Sequence, residues 1–103
     1  MCMINNKIID SFVYSNGSYN SNNLRDTDIN YIFLALNFYK TIDDEVLSLK
    51  EDLATINTNL LNKLSRKNEF FIFTELSELE FKVLKIALNI YTFIRNISES
   101  ELI

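Results

Sequence analysis

Residues Ser77 to Ile97 limit the possible folds more than any other stretch. Apolar side chains recur at Leu79, Val83, Ile86, Ile90, Phe93 and Ile97, alternating steps of four and three that fall on one face of an α-helix. Leu84, Ala87, Leu88, Tyr91 and Ile94 widen that face, leaving a thin polar stripe of Glu78, Lys82, Lys85, Asn89, Thr92 and Asn96. Ser77 and Glu80 have the spacing of a capping box, and Leu76 and Phe81 that of a hydrophobic staple. The spacing predicts a helix over 77–97 that is buried on more than one side.

Two further helices are expected. Over 28–41, Ile29, Ile32, Phe33 and Leu36 share one face, with Tyr31, Leu34, Ala35 and Phe38 beside it. Asp26 or Thr27 is the expected cap, with Asp28 in the first turn, where the helix dipole favours negative charge. The acids Asp43, Asp44 and Glu45 oppose the dipole at a helix C-terminus, so a break is placed near Thr41 to Asp43. A new helix over 43–67 follows, with Thr41 and Asp44 at capping-box spacing. Ile42, Val46, Leu49, Leu53, Ile56 and Leu60 give it a heptad seam. Lys63, Arg66 and Lys67 supply the charge expected at its end, with Asn68 just beyond.

Two places favour β structure. Asn16-Gly17 tolerates positive φ at both central positions of a type I′ turn, which allows either a short hairpin within 11–20 or a flexible loop joining a short N-terminal element to the body. "EFFIF", from Glu69 to Phe73, is short and rich in β-forming residues, which places a strand or buried linker at 69–74. The expected fold is therefore mainly α: a compact bundle of three long helices with a small β element. One domain is expected over 1–103, with a loop-rich segment at 1–25 and a frayed tail at 98–103. The expected core is Ile32, Leu36, Leu49, Leu53, Ile56, Leu60, Phe71, Leu79, Val83, Ile86 and Ile90.

Composition removes most chemistry. The chain has no His, and its one Cys, Cys2, stands at the terminus. Imidazole is the commonest general base and metal ligand, and a lone thiol has no base to activate it. One Gly cannot build a phosphate-cradling loop. No cofactor, metal site or catalytic residue is therefore expected, and the chain is not read as an enzyme. A single Cys fits a reducing, cytoplasmic home, and no apolar run is long enough to span a bilayer. Frequent Asn, Ile and Lys suggest an AT-rich genome, that of a low-GC bacterium or its phage. The net charge of −4 disfavours duplex DNA, whose binding needs an excess of Lys and Arg.

Three resemblances bear on function. "FTELSELEFKVLKIAL" is similar to the helix that precedes the reader helix of winged-helix transcription regulators. Only Ser98 to Ile103 follow the predicted helix, which leaves no room for the recognition helix such a domain requires. Phe73, Thr74 and Glu78 approximate a pattern in small bacteriocin immunity proteins of low-GC bacteria, which implies a four-helix bundle and partner-specific protection. In size, acidity and lack of catalytic residues the chain is also similar to phage-borne inhibitors of host nucleases, including anti-CRISPR proteins.

Binding is the remaining class. The expected function is that of a small inhibitor or protective factor that occupies a protein partner. An acidic patch of Asp43, Asp44, Glu45, Glu51 and Asp52 suits a basic groove on a nucleic-acid enzyme. Tyr31, Phe38, Tyr39 and Tyr91 are the expected aromatic anchors, and Tyr14, Tyr19 and Tyr39 are expected to be at least half exposed. The nearly all-apolar helices at 28–41 and 77–97 exceed what one small chain readily covers, so a homodimer joined through them is expected.

Overall fold

The chain forms an α+β fold rather than the expected bundle of three long helices. The computed structural model describes the backbone of residues 3–46 and 50–101, and side chains over 6–41 and 55–97. In order, the elements are α1 (Met3–Asp10), β1 (Val13–Ser15), β2 (Ser18–Leu24), α2 (Asp26–Val46), α3 (Lys50–Asn62), β3 (Leu64–Lys67), β4 (Phe70–Leu76) and α4 (Glu78–Glu101). The strands make one antiparallel sheet in the order β1-β2-β4-β3.

The fold is one helix–hairpin–helix unit used twice. Moving from Asn16 to Asn68 and keeping that offset superimposes α1-β1-β2-α2 on α3-β3-β4-α4. Val13 pairs with Asn20 as Ser65 pairs with Ile72, and Ser15 with Ser18 as Lys67 with Phe70. In the central pairing, Tyr19 faces Leu76 and Leu24 faces Phe71, two contacts that the same offset interchanges, while Ser21 and Phe73 face each other. A pseudo-twofold axis therefore passes between Ser21 and Phe73. Both hairpins turn at an asparagine with positive φ, Asn16 at 53° and Asn68 at 58°. Asparagine visits that region more readily than most residues.

The helices follow the same symmetry. Arg25 occupies the cap position of α2, and its amide donates to Asp28 Oδ2 at 3.0 Å. In α4, Ser77 N donates to Glu80 Oε1 at 2.7 Å and Glu80 N to Ser77 Oγ at 3.1 Å, the expected capping box. Asp26 and Thr27, the expected caps of α2, instead open the helix one position later. Each capping carboxylate meets a lysine from its own half: Lys7 reaches Asp28 at 3.1 Å and Lys63 reaches Glu80 at 2.6 Å. These pairs tie the first helix of each unit to the start of its second.

The core lies between the sheet and the α2–α4 pair. Ile32, Ala35 and Leu36 of α2 and their equivalents Leu84, Ala87 and Leu88 of α4 are all buried. The α4 face is thus rotated from the expected seam. Leu84 is fully buried, whereas Leu79 is 57% exposed and Phe93 59% exposed. Ile56, Leu60 and Val83 take their expected core places, Phe71, Ile86 and Ile90 pack at its edge, and Leu49 and Leu53 lie outside the described side chains.

The helix expected over 43–67 is not formed. α2 continues through the predicted break to Val46, a separate α3 ends at Asn62, and Leu64–Lys67 turn into a strand. The β regions expected at 11–20 and 69–74 are present, but they belong to a four-stranded sheet that also recruits Ser21 to Leu24 and Leu64 to Lys67.

The rotated face gives a direct test. Leu84→Ala is expected to destabilise the chain by about 2–5 kcal/mol, while Leu79→Ala should stay within about 0.5 kcal/mol. Chemical denaturation of both variants measures the difference, and equal losses would restore the original seam.

Candidate functional site

A cleft of about 320 Å³ opens between α2 and α3 above β4. Its lining comes from three elements: Phe33, Leu36 and Asn37 on α2, Asn57, Leu60 and Leu61 on α3, and Phe73 on β4. Leu36, Leu60 and Phe73 are buried core residues, so the floor is part of the hydrophobic core itself. Leu61 is 55% exposed and Asn37 is exposed, while Phe33 and Asn57 are half-buried. The result is an apolar floor with two amides beside it.

Local sequence explains the lining. On α2, Phe33, Leu36 and Asn37 are three and four positions apart and so occupy one side of the helix. On α3, Asn57, Leu60 and Leu61 repeat that spacing. Both helices therefore present two apolar positions and one amide-bearing position to the same space. Asn57 Oδ1 is buried and accepts no hydrogen bond. A buried acceptor without a donor costs about 1–3 kcal/mol.

Several residues recur at the 52-residue offset, Tyr39 and Tyr91 among them. Among described pairs, Leu24/Leu76, Ala35/Ala87 and Leu36/Leu88 are identical and buried, which packing explains. Asn16/Asn68 is identical because both turns need positive φ. Asn37 and Asn57 also have identical equivalents in sequence, Asn89 and Asn5. The other half nevertheless differs in its lining: Lys85 stands where Phe33 does, and Ser21 where Phe73 does.

The expected partner-binding residues fall elsewhere. Tyr31, Phe38 and Tyr91 do come together at the α2–α4 junction. The Tyr31 and Tyr91 ring centroids are 5.2 Å apart and those of Phe38 and Tyr91 5.8 Å apart. Arg95 lies over the Tyr31 and Tyr91 rings, 5.9 Å from each centroid. Tyr31 is buried and its hydroxyl pairs with Thr92 Oγ1 at 2.6 Å, so it serves the core. Tyr39, expected to be at least half exposed, is also buried in the core cluster. Tyr14 is exposed and Tyr19 half-buried as expected, with Tyr19 stacked on Phe81 at 4.1 Å. Asp43, Asp44, Glu45, Glu51 and Asp52 fall on helical backbone, but their side chains lie outside those described.

Two other observations bound the chemistry. Among the described residues, no group of three or more His, Cys, Asp or Glu side chains gathers where a metal ion could be held. No described helix is long and apolar enough to cross a membrane. Comparison with protein families, curated proteins and solved structures finds no match for this chain.

The α3 wall is fixed by Lys63, which directly follows the helix. Its ammonium donates to Glu80 Oε1 at 2.6 Å and to the Glu75 carbonyl at 2.9 Å. Burial raises the Glu80 pKa, but the Lys63 ammonium and the Ser77 amide and hydroxyl together outweigh it and hold the carboxyl below its ordinary value. A depressed carboxyl contributes stability that is present above its unfolded pKa and lost as pH falls through the folded one. Glu80→Gln should therefore cost about 1–3 kcal/mol at neutral pH, with the gap to the parent chain narrowing as pH falls below the ordinary carboxylate range. Urea titrations from pH 7 down to pH 3 test this. A gap that is constant or widens toward acid would contradict the assignment.

Proposed function

We propose that this chain is a non-catalytic binding protein that acts by occupying a protein partner, as a small inhibitor or protective factor does. The α2–α3 cleft supports this reading best. An apolar floor flanked by hydrogen-bonding groups is the arrangement that receives an anchor side chain at a protein interface. The net charge of −4 favours a partner with a basic surface. A nucleic-acid enzyme is the class that such charge suits, as for the anti-CRISPR-like inhibitors the chain resembles in size and acidity. The four-helix-bundle form implied by the immunity-protein resemblance does not carry over to a chain with a central sheet.

Self-association belongs to the same reading. Phe93, Ile94 and Ile97 stay exposed on the last turns of α4, where a second copy would find an apolar contact. The homodimer is thus moved from the mutual faces of α2 and α4, which the monomer itself buries, to the far end of α4.

Photo-crosslinking separates these roles. A crosslinking side chain at Leu61 is expected to capture one partner protein in the source cells. The same group at Lys82, on the exposed side of α4, should capture none. Placed at Phe93, it should join two copies of the chain. Leu61→Asp should abolish capture without lowering stability by more than about 0.5 kcal/mol, as for other exposed positions. Equal capture from Leu61 and Lys82, or a salt-sensitive shift of duplex DNA, would overturn the proposal.

A further inference from the structure

We propose that two copies of this chain exchange halves: in each, α2 and α3 join into one continuous helix, and the first helix–hairpin–helix unit closes on the second unit of the other copy. This stands apart from the α4 contact proposed above and needs no foreign partner. An apolar seam carries it. Along α2, Ile32, Ala35, Tyr39, Ile42 and Val46 follow steps of three and four in turn. Leu49, Leu53, Ile56 and Leu60 continue the same alternation without a slip. The helical backbone stops at Val46 and starts again at Lys50, yet the heptad register runs through the junction as it does along one uninterrupted helix. Ile32, Ala35, Tyr39, Ile56 and Leu60 are buried, and the four positions between them are read from the sequence. The chain has no Pro and its one Gly is Gly17, so no strong helix breaker stands between Asp26 and Asn62.

Charge and topology favour the same exchange. Asp43, Asp44 and Glu45 fall in the last turn of α2, which holds no basic residue. There they lie at the negative end of the helix dipole; in a continuous helix they lie at mid-length, where that penalty vanishes. The ion pairs Lys7–Asp28 and Lys63–Glu80 brace each unit from within, so a unit moves as one body. Every contact between units joins a residue before the junction to one after it. Tyr19 stacks on Phe81, the Tyr31 hydroxyl pairs with Thr92 Oγ1, and Ser21 faces Phe73 across the sheet. The second copy supplies each of these unchanged, so exchange loses no native contact outside the junction. Short hinges invite such exchange, and only residues 47–49 separate α2 from α3. The cleft becomes a shared site, with Phe33, Leu36 and Asn37 from one copy and the α3 wall and Phe73 from the other. Phe33 and Leu61 are equally far in sequence from residue 47, as are Asn37 and Asn57. Retaining the α2–α3 packing therefore runs the two long helices antiparallel, with Val46 and Leu49 flanking the dyad.

The test uses the full chain. Unlabelled chains are mixed with chains carrying heavy carbon and nitrogen isotopes, unfolded together and refolded at high concentration. Light scattering should then give a dimer mass. Overhauser spectra filtered to show only contacts between labelled and unlabelled chains should link Ser21 to Phe73, Leu24 to Phe71 and Tyr31 to Thr92. Ser48→Pro should weaken the dimer about a hundredfold or more, the factor one proline costs inside a helix, and leave a folded monomer. Ser48→Ala, which brings in a better helix former, should keep the dimer. A monomer mass at every concentration, contacts between units that all lie within one chain, or a dimer that Ser48→Pro leaves unchanged would overturn the proposal. If Ser48→Pro fails to fold, the filtered spectra of the unsubstituted chain decide. A dimer whose contacts between chains are confined to Phe93, Ile94 and Ile97 sinks the exchange and leaves the α4 contact standing.

Discussion

The pairing of β2 with β4 is the contact on which the rest of this structure depends. β2 reads SYNSNNL, a sequence with few residues that favour a strand, whereas β4 reads FFIFTEL. Alone, β2 has little reason to be extended. Beside β4, it pairs at Tyr19, Ser21 and Leu24, with register shifts between them, and its Leu24 enters the core at full burial. β propensity is largely a matter of packing against neighbours, and here the neighbour comes from the opposite half of the chain. The pairing also joins the two helix–hairpin–helix units into one sheet, so neither unit's core closes without it.

The same axis explains how two similar units come to have different clefts. Ser21 and Phe73 face each other across it. Ser21 is buried and its hydroxyl pairs with that of Ser11 at 2.7 Å, while Ser11 Oγ also donates to the Ile8 carbonyl. That network gives the first half polar contacts where the second has an aromatic ring. Phe73 instead packs against Phe12, with centroids 5.9 Å apart, and forms the floor under α2 and α3. One small and one large residue at equivalent places thus give the two halves of a duplicated framework different surroundings. The paired alanines, Ala35 and Ala87, keep bulk away from the buried faces of α2 and α4, and the Lys7–Asp28 and Lys63–Glu80 pairs brace each unit from outside.

Local signals were legible where local chemistry decides the outcome. The Ser77–Glu80 capping box, the Asn16-Gly17 turn and the helical periodicity around Ile32 and Val83 all reappear in the structure. What failed depends on contacts distant in sequence. Lys63, Arg66 and Lys67 look like the basic end of a helix, but Lys63 turns to Glu80 and the other two edge the sheet on β3. Asn68 looks like a helix terminator and is instead a hairpin corner, without the glycine that marks the first one. The acids after Thr41 were read as a helix start, yet α2 runs through them to Val46. The cleft was hidden for a related reason. The cleft forms where the shorter α3 packs beside α2, a contact that the predicted long helix did not contain. The repeat relating the two halves, with Leu24/Leu76, Ala35/Ala87 and Leu36/Leu88 identical, was present in the sequence throughout.

The central claim is that two units close on each other through β2 and β4 about an axis at Ser21 and Phe73. Proton–proton Overhauser contacts between backbone protons across this pair, in solution, test it most directly. The account predicts contacts linking Tyr19 to Leu76, Ser21 to Phe73 and Leu24 to Phe71, with slow amide exchange in both strands. Absence of these contacts, together with helical contacts running unbroken from Lys50 through Lys67, would contradict it and return the chain to a helical bundle.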